Sequence, residues 1–406
     1  MNKFKNCPTG NDNCKIVNLI NFNNFPYFTS PVNYINKKKI FKHFSKNNIV
    51  CHLNVITCQK CCHCFLRKIP NQKTMDYLYS NYYNYPSALE GSFEPTRDNR
   101  FLSFFKKNVF SKLKEINSKK ILEIGCYDGY ILYNIKKSGL NVTGCDPSKG
   151  AEIGKKFGLN IIKQFFKPDY FTNKKLFFDI IISRHFLEHA IKPKEILSNI
   201  LKVMKPNGYL ILEIPNIEFY LNKGLLEVFS LQHLHGFSSL SISNLLNNSG
   251  MKVVKIEKTP ENLIVLCQKG KNKKKIYSKN WRIILKKFIN RFKRNKKKIS
   301  QILNKYTKQK KTIAFWGGGG FSVAALNLYG VEKKDISYII DSDAKKWGMQ
   351  YLDHSIPIIS PYNAKRLYLD LIVITSYYSK DIYKQIKKMQ FKCKVLNIFP
   401  DIKIIN

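Results

Sequence analysis

Arginine is scarce in this chain. Of 70 basic residues only eight are Arg (Arg67, Arg97, Arg100, Arg184, Arg282, Arg291, Arg294 and Arg366), and 62 are Lys. Arg is the side chain that grips phosphates and base edges bidentately, so its scarcity argues against a surface built for nucleic acid. Acid is scarce too: 27 Asp and Glu leave a formal net charge of +43. The surplus of Lys comes with a surplus of Asn, Ile, Phe and Tyr, the mark of a compositional drift over the whole chain. Long apolar runs are missing, since no uncharged stretch nears the roughly 18 residues of a membrane span. Met1 to Cys7 has charge but no apolar core of a secretory signal, and the expected location is cytoplasmic.

Cysteine is plentiful but clustered, with seven of 11 between Cys7 and Cys64. In a reducing compartment that clustering fits metal binding better than a disulfide scaffold. A hydrophobic fraction of 44% excludes wholesale disorder, and 406 residues exceed what one core holds. Four blocks follow: a Cys- and Tyr-rich block 1–85, an alternating block 86–270, a basic amphipathic stretch 271–311 and a second strand–glycine–helix block 312–406.

Block 86–270 reads as α/β. Lys120–Ile124, Val142–Asp146, Ile161–Ile162, Phe177–Ile182 and Tyr209–Ile214 are strand patterns. Helical stretches at Tyr130–Ser138, Gly150–Phe157 and Pro193–Met204 separate them, which predicts a parallel sheet with right-handed crossovers. The strongest chemical signal is Glu123-Ile124-Gly125-Cys126-Tyr127-Asp128-Gly129. Glycines after a first parallel strand let the backbone turn tightly and approach a ligand. Two glycines preceded by an acid are neither the dinucleotide pattern nor a P-loop. Asp146 ends the next strand, where a carboxylate suits a vicinal diol.

These residues, in this order, resemble class I S-adenosylmethionine (SAM)-dependent methyltransferases. The resemblance implies that Glu123, Gly125 and Gly129 line the methionine end of SAM, with Cys126 and Asp128 also among the cofactor-binding residues. It implies that Asp146 binds the ribose and that Gln164 and Phe165 flank the adenine, with Ser183 also counted among the cofactor-binding residues. The loop Ser183-Arg184-His185-Phe186-Leu187-Glu188-His189 resembles that of small-molecule methyltransferases and lacks the Asn/Asp-Pro-Pro-Tyr segment of amino-directed nucleic-acid enzymes. His185 stands nearest a substrate face, while Glu188 and His189 are read as caps of local backbone. A second cluster, Gln232-His233-Leu234-His235, offers imidazoles suited to proton removal at working pH. His233 is the first candidate for the base and His235 the second.

Cys58-x₂-Cys61 is a knuckle, and Cys7 and Cys14 are candidates for a second pair completing a structural zinc site. Cys51, His52, His63 and Cys64 are the alternative ligands. A zinc knuckle, a methyltransferase core and a Rossmann-like end domain together resemble the sugar C-methyltransferase family, which acts on nucleotide-linked deoxy-keto-sugars. Tyr79, Tyr82 and Tyr83 fall in its Tyr-rich stretch, and Ile313-Ala-Phe-Trp-Gly317-Gly-Gly-Gly320 opens its last domain. One departure concerns the chemistry. The family's Tyr-His-Glu-His-like segment is Ser230-Leu231-Gln232-His233 here, which leaves methylation at carbon or at oxygen open.

The stretch Lys269–Lys311 carries 19 Lys or Arg and no acid. Its apolar residues Trp281, Ile284, Leu285, Phe288, Ile289 and Phe292 recur at helical spacing. The stretch reads as a solvated interdomain helix, with contact to an anionic membrane surface or to nucleic acid as rivals. The expected protein is a small-molecule methyltransferase. The alternative is a nucleic-acid-binding protein or RNA methyltransferase, and nothing in the pattern specifies an oligomer.

Overall fold

The computed structural model describes residues 2–3, 6–9, 14–26, 29–43, 50–69, 71–83, 87–91, 96–113, 115, 118–225, 228–270, 280–376, 378–399 and 402–405. Residues 271–279 of the basic stretch lie outside them. In chain order the elements used below begin with β1 (Ile16–Pro26), α1 (Tyr34–His43), β2 (Val50–Cys58), β3 (His63–Leu66), α2 (Gln72–Tyr82) and α3 (Thr96–Asn108). They continue with β4 (Lys120–Ile124), α4 (Tyr130–Lys136), β5 (Asn141–Cys145), α5 (Gly150–Lys156), β6 (Ile161–Ile162), α6 (Pro168–Thr172), β7 (Phe178–Arg184), α7 (Pro193–Val203) and β8 (Met204–Pro215). Then come α8 (Ile217–Lys223), β9 (His235–Gly236), α9 (Ser239–Asn248), β10 (Met251–Lys258), β11 (Asn262–Lys269) and α10 (Trp281–Lys308). Two compact units divide the chain: 1–17, 56–218 and 234–279 form the first, and 18–55, 219–233 and 280–406 the second.

The first unit is built on a seven-stranded sheet in the order β10-β11-β8-β7-β4-β5-β6. The five strands from β8 to β6 are parallel, and β11 and β10 close the edge as an antiparallel pair. Strand alternation explains why both faces are covered. Ile121, Ile180, Ile182 and Ile211 face one core with Phe101, Phe104 and Phe105 of α3 and Ile131, Leu132 and Ile135 of α4. Leu122, Ile124, Ile181, Leu210 and Leu212 face the other, with Leu197, Ile200 and Val203 of α7 and Ile242, Leu245 and Leu246 of α9. This is the Rossmann-like α/β sheet, with its run of parallel strands, expected from the sequence. Its register sets Ile124 beside both Ser183 and Cys145, so the carboxyl ends of β4, β5 and β7 lie level.

Strands β1 and β2 each run from one unit into the other along the chain. Within the first unit β3 pairs antiparallel with β9, His235 opposite Phe65 and Gly236 opposite Cys64.

The second unit holds a six-stranded sheet whose strands are β12 (Ile313–Trp316), β13 (Tyr338–Ile340), β14 (Ile358–Ile359), β15 (Leu371–Ile374), β16 (Lys394–Asn397) and β17 (Lys403–Ile405). Their order is β14-β13-β12-β15-β16-β17, parallel except for the last pair. This is the second Rossmann-like sheet expected from the sequence. Its glycine turn is explained by packing. Gly317 takes φ +124°, and a Cβ there would lie 2.7 Å from the Thr375 carbonyl oxygen. The Gly318 N–H donates to Asp341 at 2.6 Å, and Lys346 pairs with the same carboxylate at 3.1 Å. Helix α10 buries Trp281, Leu285, Phe288, Ile299 and Leu303, and Phe288 packs on Phe229 of its own unit.

Candidate functional site

The glycine motif turns from β4 into α4 at the carboxyl edge of the first sheet. Gly125 and Gly129 both take left-handed backbone, φ +72° and +74°, where an L side chain is strained. Their surroundings differ. A Cβ on Gly125 would meet the Phe186 ring at 3.2 Å, whereas one on Gly129 would meet Leu159 at 2.6 Å. Gly129 is thus required by the core. Cys126 also turns inward: a Cβ on Gly144 would lie 2.6 Å from its sulfur, and burial pushes the thiol well above its ordinary range. Asp128 is committed to the chain itself, accepting from Ser87 Oγ at 2.8 Å, the Leu89 N–H at 3.3 Å and the Tyr130 N–H at 3.0 Å. All three also shape the turn itself.

Tyr127 is a residue that the motif reading passed over. It holds φ +49°, rare for an aromatic residue, and such outliers gather at ligand sites. Its N–H donates to Asp146 Oδ2 at 2.9 Å, and its ring occupies the space a Cβ on Gly150 would need. Asp146 also accepts from the Ser148 N–H at 2.8 Å and from the Ser148 hydroxyl. Burial raises its pKa against these donors. A carboxylate offers about four acceptor sites, so one remains for a ligand hydroxyl.

Three further polar atoms on the same sheet edge are buried without a hydrogen-bond partner among the described residues: Glu123 Oε2, Gln164 Nε2 and Ser183 Oγ. Burial lifts Glu123 to about 8 despite the nearby Arg184 charge. An orphaned buried polar group costs about 1–3 kcal/mol, so three along one edge leave hydrogen-bonding capacity there that the described residues do not meet. Phe165 is 37% exposed beside them, an open apolar face at the end of β6.

Beneath this edge lies an ionic network absent from the sequence reading. Arg184 Nε donates to Glu213 at 2.7 Å and its terminal nitrogen to Asp98 at 2.6 Å, with the guanidinium over the Phe101 ring. Burial works against the Arg184 charge, and Glu213, Asp98 and Glu123 overcome it. Asn262 satisfies the other Glu213 oxygen at 2.9 Å. Replacing Arg184 by Met is expected to destabilise the protein by about 3–5 kcal/mol, because it leaves two buried carboxylates unpaired. Urea unfolding measures the loss.

The loop after β7 differs from its expected role. Glu188 is 1% exposed, and neither carboxylate oxygen has a well-formed hydrogen-bond partner among the described residues. Its Oε1 lies 3.5 Å from His185 Nδ1 and 4.0 Å from His189 Nε2, and burial lifts it to about 8. His185 holds φ +47° and also approaches Glu213 at 3.9 Å. His189 Nδ1 is 3.0 Å from the Tyr79 hydroxyl, which gives one member of the Tyr-rich stretch a place beside the loop.

The two candidate bases separate. His235 is committed: its Nε2 lies 2.9 Å from the Ala190 carbonyl and its Nδ1 3.1 Å from His63 Nε2, and burial lowers it to about 4. Both nitrogens are engaged within the protein and the ring's lone pair faces His63, which leaves His235 the weaker candidate for the base. His233, in the second unit, places Nδ1 3.0 Å from the Val228 carbonyl. A carbonyl only accepts, so Nδ1 carries the proton and the basic lone pair sits on Nε2. Burial lowers the His233 pKa. Gln232 Oε1 accepts from the Thr29 N–H at 3.2 Å and hydroxyl at 2.7 Å, a structural use.

The cysteines expected as zinc ligands converge. Cys7, Cys14, Cys58 and Cys61 place their sulfurs within 4.8 Å of one another. A tetrahedron with Zn–S bonds of about 2.3 Å has edges of about 3.8 Å, so the donor set and its spacing fit zinc. The Cys61 N–H donates to Cys58 Sγ at 3.3 Å, as a knuckle requires. Donation from Cys61 and Cys7 lowers the Cys58 pKa, while both donors are pushed up. Cys51, His52, His63 and Cys64 are not part of the group.

Two family models match the chain. Residues 97–256 match the methyltransferase domain family and residues 268–396 the C-methyltransferase C-terminal domain family. Each model covers less than half of the chain, and together they make it similar to a methyltransferase domain followed by a C-methyltransferase C-terminal domain. Among curated relatives, the mitochondrial ubiquinone biosynthesis O-methyltransferase of Schizosaccharomyces pombe is 30% identical over 115 residues, 27% of this chain and 42% of that one. The ubiquinone biosynthesis O-methyltransferase of Vibrio vulnificus is 28% identical over 144 residues, 33% and 59% of the two chains. The chain thus spans about half the length of the curated relatives it matches. The magnesium protoporphyrin IX methyltransferase of Synechocystis with bound SAH overlaps with TM-score 0.36 at 11% identity, covering 49% of this chain and 95% of that one. Among the described residues, no helix is long and apolar enough to cross a membrane.

Proposed function

We propose that this protein transfers a methyl group from SAM to a small acceptor, a nucleotide-linked sugar. The observation that carries the proposal is the edge holding Asp146, Glu123, Gln164 and Ser183, whose unmet hydrogen-bonding capacity matches the ribose, ammonium and adenine groups of that cofactor. Asp146 and Glu123 would accept from hydroxyl and ammonium groups, Gln164 and Phe165 would meet the adenine, and Gly125 would admit the chain closely beneath Phe186. SAM, when bound, supplies an electrophilic methyl and leaves as a neutral thioether.

The chain's own part is alignment and the removal of one proton. The sequence makes His233 the candidate for that proton, with Nδ1 anchored on Val228 and the lone pair on Nε2. His185 lines the acceptor side, where Glu188 stays largely protonated at neutral pH. Two features support a small acceptor over RNA: the Ser183–Phe186 loop lacks an amino-methylating segment, and Arg is scarce. The C-methyltransferase end domain supports a nucleotide-linked sugar, and product analysis assigns the methyl to carbon or oxygen. Calorimetric titration with SAM and SAH tests the cofactor. One site per chain is expected, and absence of binding would overturn the proposal.

Cys7, Cys14, Cys58 and Cys61 would hold one structural zinc, in the reducing cytoplasm that clustered thiolates require. Cys58→Ser is expected to lose the metal, one ion per chain by mass spectrometry. The loss should destabilise the first unit by several kcal/mol in thermal unfolding, since binding energy at such sites is folding energy. Retention of a full metal equivalent would refute this ligand set.

A further inference from the structure

His63 and His235 lie outside the cofactor edge, yet they form a continuous hydrogen-bonded chain between two functional elements. His63 stands two residues after Cys61 on β3, and His235 stands on β9, which pairs with β3. His63 Nε2 is 3.1 Å from His235 Nδ1, and His235 Nε2 is 2.9 Å from the Ala190 carbonyl. Ala190 closes the short helical turn Leu187–His189, its N–H bonded to the Leu187 carbonyl at 3.2 Å.

The direction of this chain is fixed. The Ala190 carbonyl can only accept, so His235 Nε2 carries a proton and Nδ1 is the acceptor. His63 Nε2 must then be the donor. Both rings are enclosed, His63 stacked on Phe65 at 5.4 Å and against Phe237 at 4.9 Å. His63 is 0% and His235 1% exposed. Two apolar side chains would fill this space without desolvating any imidazole. The polar pair adds directionality: it ties the backbone of the acceptor-side turn to the cysteine hairpin through two oriented bonds.

We infer that His63 and His235 are positioning residues, a relay that sets the Glu188–His189 turn from the cysteine hairpin. This inference rests on the proposal that the turn faces the methyl acceptor. The test is a double-variant cycle in the metal-loaded full chain, using His63→Phe, His235→Phe and the pair. Each single variant is expected to lower kcat about tenfold or more through misplacement of the turn. KM for SAM should stay within about twofold of wild type. The pair should be no worse than either single variant, because both break one chain. Unchanged kcat in the singles, or losses that multiply in the pair as separate packing defects would, overturns the relay.

If the variants do not fold, nitrogen NMR of the histidine-labelled wild type decides. Two neutral rings protonated at Nε2, with scalar coupling across the His63–His235 bond, are expected. A His235 ring protonated at Nδ1 overturns the relay. A wild-type chain that binds no SAM and transfers no methyl would refute the functional proposal, and the NMR result would then decide the relay by itself.

Discussion

Asp146→Ala is expected to weaken SAM binding by about two orders of magnitude, roughly 3 kcal/mol. Two losses combine. The ligand loses a carboxylate acceptor for its ribose, and hydrogen bonds to a charged group are worth about 1.5–3 kcal/mol. The turn also loses its organiser, because the Tyr127 N–H and the Ser148 N–H and hydroxyl all converge on Asp146. Tyr127 would then have no reason to keep its left-handed backbone. Asp146→Asn separates the two losses: its single carbonyl oxygen can still serve one set of donors, so an intermediate affinity is expected. Calorimetry with SAH measures both, and thermal unfolding checks that each variant is folded. Wild-type affinity in Asp146→Ala would show that the cofactor lies elsewhere.

His233→Ala should lower kcat by about 10²–10⁴-fold, the usual contribution of a positioned base, with SAM affinity retained. The pH dependence has a definite sign. Burial disfavours the imidazolium and holds the His233 pKa below 6.5. The neutral, basic ring therefore persists at and above pH 6.5, and the rate falls only as pH drops through the lowered pKa. A profile still rising above pH 7 would place the proton on another group. His235→Ala is not expected to reproduce the pH effect, since both of its nitrogens are already bonded.

Much of the fold was legible because its signals are local and periodic. The buried run Phe178–Ile182 and the glycine turn after Ile124 each specify one element, and alternating strands and helices specify the parallel sheet. The four cysteines were also readable, since knuckle spacing limits the partners of Cys58 and Cys61 even though Cys7 and Cys14 are far off in sequence. What could not be read depends on long-range pairing. Nothing local says that Arg184 will meet Asp98 86 residues earlier and Glu213 29 residues later. Nor does the segment Gln232–His235 reveal that one imidazole binds His63 from the cysteine hairpin while another binds the nearby Val228 carbonyl. Motif logic therefore ranked His233 and His235 as neighbouring candidates, and geometry separated them. The same limit applies to Cys126, Asp128 and Gly129. They belong to the motif by sequence, and the packing and bonds that also make them part of the turn's structure are visible only in the fold.

Methyl transfer from isotopically labelled SAM, with nucleotide-linked keto-sugars and RNA offered side by side, is the most direct test of the central claim. The proposal predicts label in the nucleotide-sugar fraction, lost in His233→Ala and Asp146→Ala. Label in RNA, or in neither acceptor from a chain that binds no SAM, would contradict it.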